Sequence, residues 1–384
     1  MASPFNREPT SFLNLLPVPD LLPSRDYIWS LAAIKHATSR TNAEMGSLES
    51  AQAEAIASAA LEVMNGWWDE QIFMEPLESG PGDYHRKVIG IIADRAAQIL
   101  VDQQGAYANR VRIAAGMDIN QNQSTGAVIS TALQLGCLKC LEELQQALRD
   151  LTTNGGAYTI SWPEPKLILQ AKMNQAGGVP PSGEYQELLH DVFYRAEGLR
   201  NAAEALRYIS LECPANCDPR LDYGSRIVKQ LAETTGLSLY PSDHSSHSMQ
   251  FLAEVDTFSM ALRAIQTSLK RISDQMRRRR GPTTAEFKAL LLKSNAKLEE
   301  VSFRLQVCDL IIALMAQIEL QAAAVMLPIL AYVLFETQNG LAEAARQLSA
   351  GLHDELTGGI IESRKYPVRH EHLLNHDYGT HLAR

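Results

Sequence analysis

The stretch Met249–Arg278 reads MQFLAEVDTFSMALRAIQTSLKRISDQMRR, thirty residues without a glycine or proline. Its apolar residues recur at helical spacing, so it predicts one long helix. A second stretch, Lys293–Gly340, predicts another long helix with a bend at Pro328. Helices of this length are unusual in a globular protein, and both are apolar on more than one face. Such helices need partners on several sides, so the sequence predicts an elongated long-helix bundle that includes helices from several chains.

Helical patterns dominate the rest of the chain as well. Further helices are expected at residues 28–65, 88–102, 127–151, 183–209 and 226–235. Only Tyr158–Trp162 and Leu167–Leu169 have strand-like patterns, so the predicted fold class is all-α. We expect an N-terminal helical domain at residues 1–110, a central long-helix bundle at 111–345 and a truncated C-terminal segment at 346–384.

Composition excludes several classes of protein. The chain has 384 residues, a net charge of −9 and a pI near 5.6, which argues against a nucleic-acid partner. The most membrane-like stretch, Leu310–Phe335, carries a glutamate and two glutamines in its middle, which favours a buried bundle helix over a membrane span. An odd number of cysteines, with no secretory leader, predicts a cytoplasmic protein.

Two groups of residues have the spacing of metal ligands. Cys137-x-x-Cys140 with Cys213-x-x-x-Cys217 matches a four-thiolate zinc site, but the first pair lies in a helical pattern and favours buried or free thiols. The tail at 369–378 is rich in histidine, and a solvated tail is the simpler interpretation. We therefore expect no metal and no cofactor.

Several segments, taken in chain order, resemble those of the aspartase/fumarase superfamily, which includes aspartate ammonia-lyase, class II fumarase and argininosuccinate lyase. The matching segments are Ile34–Asn65, Ile91–Ala96, Gln123–Ala127, Tyr223–Leu237, Ala261–Met276 and Val325–Leu334. The resemblance implies a central five-helix bundle and a homotetramer with a twenty-helix core and active sites shared between subunits. It also implies a lyase that acts on a small carboxylate.

The family signature, G-S-S-x-M-P-x-K-x-N-P followed by a glutamate, resembles only part of FKALLLKSNAKLEEV at 287–301. Lys293, Asn295 and Glu300 occupy the lysine, asparagine and glutamate positions. The resemblance implies that the first two bind a substrate carboxylate, and we count Glu300 among the catalytic candidates. The positions of the two serines, one of which is the family's base, hold Phe287 and Lys288. An ordinary helix start with a solvated lysine is the alternative interpretation.

Two further loops of the family have changed. The substrate loop G-T-S-x-N-M-N corresponds to a segment carrying Asp83, Tyr84, His85 and Arg86. We expect Asp83 and Arg86 to bind substrate and His85 or Tyr84 to act as the base; a solvated loop is the alternative. The family's T-H-L-Q segment falls near residues 161–164, where no histidine is present.

The Q-S-S-N-D loop corresponds to Gln123–Ala127, where Ser124 and Thr125 keep hydroxyl groups. We expect both to bind substrate, the alternative being that they only cap the following helix. The retained positions favour a diverged C–N or C–O lyase, with a role in biosynthesis. Two alternatives remain. One is a non-catalytic homologue that serves as a scaffold, and the other is a helical interaction protein with an accidental resemblance.

Overall fold

A computed structural model describes residues 24–74, 83–104, 113–154, 183–211, 222–242, 249–278, 285–317 and 326–365. The helices of the N-terminal half are α1 (Arg25–Glu44), α2 (Ser50–Met64), α3 (Asp69–Met74), α4 (Asp83–Gln104), a π-helical turn (Ala115–Ile119) and α5 (Thr125–Asn154). They are followed by α6 (Gly183–Glu204), a 3₁₀ turn (Ala205–Arg207), α7 (Tyr223–Thr235), α8 (Met249–Arg278), α9 (Ala285–Met315) and α10 (Leu327–Lys365).

Strand structure within the described ranges is limited to one short pair. The strands β1 (Tyr208–Ile209) and β2 (Tyr240–Pro241) pair in parallel, with Tyr208 opposite Tyr240. The all-α prediction is confirmed. The two strand-like segments at 158–162 and 167–169 lie outside the described residues.

Five long helices, α5, α6, α8, α9 and α10, pack together as the predicted central bundle. Helix α10 packs against α5, α8 and α9, so it is surrounded on several sides. Its buried positions include Leu330, Phe335 and Leu341, all without solvent exposure. The hydrophobic effect on these apolar side chains is the main force that holds the bundle together.

Glycines let α10 approach its neighbours closely. Gly136 of α5 leaves room for the ring of Phe335, which occupies the space that a Cβ atom would need. On the next face, a Cβ at Gly340 would lie 2.7 Å from Cγ2 of Val301 in α9. Larger residues at these two points would push the helices apart.

The prediction of one helix over Lys293–Gly340 was wrong. Helix α9 ends at Met315, and α10 begins at Leu327, so the described residues of this segment belong to two separate helices. Pro328 is the second residue of α10 and does not bend a longer helix. A proline is favoured in a first helical turn because its missing N–H has no partner to lose there. Helix α10 then continues to Lys365, past the domain boundary expected at residue 345.

A second group of helices packs beside the bundle. Helix α1 contacts α2 and α7 and also the start of α5, while α2 packs against α4. Alanines of these two helices, such as Ala33 and Ala37 of α1 and Ala55 and Ala59 of α2, are fully or nearly fully buried, and such small side chains favour close helix packing. No helix in the described part of the chain is both long and apolar enough to cross a membrane.

Candidate functional site

A buried polar cluster lies where α1 meets the loop that precedes α5. Lys35 of α1 is completely buried, and its Nζ donates to Asn120 Oδ1 and to Gln123 Oε1, both at 2.7 Å. Both acceptors are neutral amide oxygens, and Lys35 forms no ion pair within the described residues. Burial lowers the pKa of Lys35 from 10.5 to about 7, because the charged form loses its hydration. Near neutral pH the ammonium and the neutral amine of Lys35 are thus both populated, and the ammonium form has no counter-charge among the described residues.

Other side chains of α1 bind the same loop. Gln123 donates through Nε2 to Thr38 Oγ1. Asn42 donates to the carbonyl oxygen of Gln121 at 3.3 Å and accepts from Asn122 Nδ2 at 3.1 Å. Since Lys35, Thr38 and Asn42 are three and four residues apart, they lie on one face of α1. This face holds the conformation of residues 120–123.

The loop leads directly into α5 through Ser124. The hydroxyl of Ser124 accepts the N–H of Ala127 at 3.1 Å, and its carbonyl accepts the N–H of Val128 at 3.1 Å. Ser124 is therefore the N-cap of α5, and its role in substrate binding stays a prediction. Thr125 is the first residue of α5 and is exposed.

The first turn of α4 brings two further candidates to this region. His85 is 4% exposed, and burial together with the cations of Lys35 and Arg86 lowers its pKa to about 3. Its Nε2 is buried and has no hydrogen-bond partner among the described residues. Tyr84 is also buried, and burial raises its pKa. At neutral pH, His85 is thus an uncharged imidazole and Tyr84 a protonated phenol.

The remaining α4 candidates differ in position. Arg86 is exposed on the first turn of α4. Asp83 is the first residue of α4, and its side chain lies outside the described part. The structure thus brings His85 close to Lys35, and Lys35 to the loop that carries Ser124 and Thr125.

The signature residues of α9 form no common site in this chain. Lys293 is exposed, whereas Asn295 Oδ1 accepts from Ser273 Oγ of α8 at 2.8 Å. Two residues apart on a helix correspond to a rotation of about 200°, so these two side chains point in nearly opposite directions. Joint binding of one substrate carboxylate requires the two side chains to point to the same place. The helical conformation of α9 therefore does not allow Lys293 and Asn295 to bind it together.

Glu300 belongs to an ionic network between α9 and α10. Its carboxylate lies 2.6 Å from Arg304 NH2 and 3.0 Å from Lys297 Nζ. Lys297 also reaches Glu343, and Arg304 reaches Glu336, with separations of 3.4 Å and 3.6 Å. Glu300 is thus an ion-pair partner within this network, and its catalytic role remains a prediction.

The two candidate groups are far apart within one chain. Lys297 pairs with Glu343, and Arg346 of the same helix pairs with Glu143 of α5. Lys293 therefore lies at the level of Glu143 along the bundle. Nineteen residues separate Glu143 from Ser124, so the α9 group lies about 30 Å from the Lys35 cluster at 1.5 Å per helical residue.

Other features lie outside these groups. Cys137, Cys140 and Cys308 are buried free thiols, and burial raises the pKa of each. No group of three metal-binding side chains occurs in the described ranges; Cys213, Cys217 and the histidine-rich tail lie outside them. A cavity of about 210 Å³ between α5 and α6 is lined by residues that include Leu148 and Phe193. It lies near the far end of α5 from Ser124.

Sequence reasoning missed Lys35, the centre of the cluster. Its sequence neighbours Ile34 and His36 are buried, as are Leu31 and Thr38, one turn away on the same face. A lysine placed between buried positions of an apolar helix was the available signal. It was not decisive because long lysine side chains commonly extend to solvent from such positions.

Comparison with known proteins gives sequence relatives. No family model matches the chain. It is 23% identical over 258 residues to the aspartate ammonia-lyase of Bacillus subtilis, covering 66% of this chain and 53% of that protein. It is 24% identical over 267 residues to the class II fumarate hydratase of Saccharolobus solfataricus, covering 66% and 57%. The chain thus spans about half the length of the curated relatives it matches.

Solved structures share the fold over more of the chain. The fumarate lyase:delta crystallin structure from Brucella melitensis has a TM-score of 0.66 at 18% identity and covers 91% of this chain and 85% of that one. The class II fumarase of Schistosoma mansoni has a TM-score of 0.68 at 15% identity, with coverage of 90% and 80%. At such identities the likeness establishes the helical-bundle fold alone.

Proposed function

The chain belongs to the aspartase/fumarase superfamily as a strongly diverged member, and from this premise we propose that it is a lyase-like enzyme acting on a small carboxylate. The reaction is the elimination or addition of an amine or oxygen nucleophile next to the carboxylate, or a related reaction in specialised biosynthesis. The cytoplasmic location expected from the cysteines belongs to the same proposal.

The complete burial of the Lys35 side chain, with its Nζ bound to two neutral amide oxygens, is the observation that carries this proposal. A buried cation bound only by neutral groups costs folding free energy, and such costs concentrate at functional sites. Lys35 binds the loop that resembles the superfamily's Q-S-S-N-D substrate loop, and His85 of the second resembling loop lies close by. Lys35 thus links the two segments that resemble substrate loops, through hydrogen bonds to one and an electrostatic effect on the other, which supports the proposal.

The charges of this region suit an anionic ligand. Lys35 and Arg86 both lower the pKa of His85, and no acidic side chain of the described residues raises it. A carboxylate placed beside these cations would gain favourable electrostatic energy, and it would raise the pKa of His85. A more basic His85 could then take the proton from the carbon next to the carboxylate. The electron pair forms a C=C bond, and the amine or hydroxyl group leaves with a proton, for which the phenol of Tyr84 is the candidate donor.

A homotetramer forms the second part of the proposal. The α9 group lies too far from the Lys35 cluster to act on the same small ligand within one chain. Leu292, Phe303 and Leu310 leave 71%, 46% and 43% of their surface exposed on α9. Their separations of eleven and seven residues place them along one side of the helix, as in a helix–helix contact. Packing α9 against another subunit would cover this stripe and could carry Lys293 to a neighbour's Lys35 cluster.

Turnover and binding assays test the proposal together. The protein is incubated with fumarate plus ammonia, with aspartate and with argininosuccinate, and fumarate is followed by its ultraviolet absorbance. Succinate binding is measured by calorimetry. Lys293→Ala is compared with Lys288→Ala, since both lysines are exposed on α9. We expect Lys293→Ala alone to weaken binding. Equal behaviour of both variants would remove Lys293 from the site, and no binding or turnover of any acid would refute the enzyme.

A non-catalytic scaffold is the second candidate. It is favoured by the residues that occupy the positions of the family's two serines. Phe287 is packed in the core and Lys288 is exposed, and both lie in the first turn of α9. Neither supplies a base, and the helix begins before them. This candidate predicts the same assembly with no affinity for succinate, so the calorimetry separates it from the enzyme.

A further inference from the structure

We propose that Lys35 is a positioning residue, whose buried ammonium holds the loop at 120–123 so that the start of α5 presents Thr125 to the ligand. The inference rests on the proposed function for the identity of that ligand. Its structural part, control of the loop by Lys35, is tested without a ligand. Lys35 itself touches no reacting atom in this scheme.

The loop depends on side chains of α1 for its conformation. Asn122 has a φ of 60°, in the left-handed region that non-glycine residues seldom occupy. The loop makes one internal backbone hydrogen bond, from the N–H of Gln123 to the carbonyl of Asn120 at 3.2 Å. Asparagine tolerates this region better than other non-glycine residues, and contacts around the loop stabilise the conformation further. Lys35 provides two of these contacts by binding the side chains at both ends of the turn.

The ammonium group of Lys35 is suited to holding the loop at 120–123. Its hydrogens reach two amide oxygens at once, and the positive charge strengthens both bonds. Without the ammonium, the buried Oε1 of Gln123 and the partly buried Oδ1 of Asn120 would each lose the donor that Lys35 supplies. Thr38 holds the other end of the Gln123 amide group, so the orientation of that side chain is fixed from two sides.

Movement of the loop at 120–123 would also displace the first turn of α5. Ser124 follows Gln123 immediately, and its hydroxyl caps the helix through the N–H of Ala127. A displaced loop would therefore loosen the cap and the first turn, which carries Thr125. The position of that exposed hydroxyl consequently depends on Lys35, although the two residues are 90 positions apart in the sequence.

Hydrogen–deuterium exchange of the full chain tests the structural part. Lys35→Met removes the donors and the charge, and Thr38→Val removes the other support of Gln123. Thr41→Val is the matched control, since Thr41 is equally buried on α1 but binds only the carbonyl of Ala37 in its own helix. Lys35→Arg restores a charge and several donors. Succinate affinity is measured for each variant by calorimetry.

We expect amide exchange at 120–128 to accelerate about tenfold or more in Lys35→Met, with partial recovery in Lys35→Arg and none of this change in Thr41→Val. Thr38→Val should accelerate the same amides, and it keeps the test informative if Lys35→Met does not fold. Succinate affinity should fall in parallel with loop exchange. Unchanged exchange at 120–128 in both Lys35→Met and Thr38→Val would overturn the positioning role. If exchange responds but the unmodified protein does not bind succinate, the loop control stands and the proposed function fails.

Discussion

Lys35 Nζ and Gln123 Oε1 lie 2.7 Å apart, although 88 residues separate them in the sequence. The contact joins the middle of α1 to the loop before α5, and it places a cation among neutral groups. It therefore costs desolvation energy while it fixes a loop that resembles a substrate loop of the superfamily.

Lys35→Met should flatten the dependence of stability on alkaline pH. The pKa of Lys35 is lowered from 10.5 to about 7 in the folded chain. Between these values the unfolded chain binds a proton that the folded chain has released, so the free energy of unfolding rises with pH. The contribution approaches about 1.4 kcal/mol per pH unit within the window. Urea unfolding from pH 7 to 10 should give a smaller slope for the variant, and equal slopes would contradict the burial of the charge.

His85→Leu should reduce sensitivity to acid. The pKa of His85 is lowered from 6.5 to about 3. As pH falls below 6.5, the unfolded chain takes up a proton that the folded chain does not, so stability is lost. We expect the unmodified protein to lose about 2 kcal/mol more than the variant between pH 6.5 and 4.5. His36, whose pKa is lowered to about 4 by burial and by Arg40, keeps part of the slope in both proteins. Parallel unfolding curves would show that His85 is protonated in the folded state.

Gly136→Ala should destabilise the bundle. The added Cβ would overlap the fully buried ring of Phe335 at the contact between α5 and α10. Overpacking of this kind costs about 1–3 kcal/mol. Gly198→Ala is the matched control, because that glycine lies within α6 with no atom near its Cβ position. There, alanine should stabilise the helix by about 0.5–1 kcal/mol, and thermal unfolding of both variants measures the contrast.

Glu300→Gln separates an ionic role from a catalytic one. Glu300 is partly exposed and pairs with Arg304 and Lys297, so loss of its charge should cost at most about 1 kcal/mol and less at high salt. Glu299→Gln is the control, since Glu299 is exposed beside it and pairs with Lys270. If Glu300 serves only the network, both variants keep any activity found. A loss of turnover in Glu300→Gln alone, at unchanged stability, would assign it a catalytic role.

Phe303→Glu should disrupt the proposed homotetramer. Phe303 lies in the exposed apolar stripe of α9, and a carboxylate there would have to be buried at a subunit contact. Sedimentation velocity should show smaller species for this variant. Val101→Glu, which adds a charge at an exposed apolar position of α4, is the comparison and should leave the assembly intact. An unmodified protein that sediments as a monomer would refute the assembly itself.

Helix content was predictable because it depends on local periodicity. The apolar spacing of Met249–Arg278 predicted α8 with its observed bounds. The same reasoning failed at Lys293–Gly340, because apolar periodicity continues through the end of one buried helix and the start of the next. A proline such as Pro328 is compatible with either a bend or a first turn, and only the packed structure distinguishes them.

The candidate site was predictable only in part. The loop at 123–125 and the segment at 84–86 were identified by resemblance, and the structure places His85 of one close to Lys35, which binds the other. Lys293 and Asn295 were paired by their spacing, but helical geometry turns them to different sides of α9. The spacing of two residues does not show whether their side chains point to the same place, because a loop and a helix orient the same two positions differently.

The sequence by itself determined the all-α class, the long-helix bundle and the resemblance to a superfamily. Apolar periodicity and the order of motifs can both be read from the chain without knowledge of its packing. The tertiary structure alone decided that Lys35 is completely buried, that Glu300 lies in an ionic network and that the two candidate groups are about 30 Å apart. These properties depend on desolvation and on distances between segments remote in sequence. Both arise only when α1, α4, α5 and the bundle pack together.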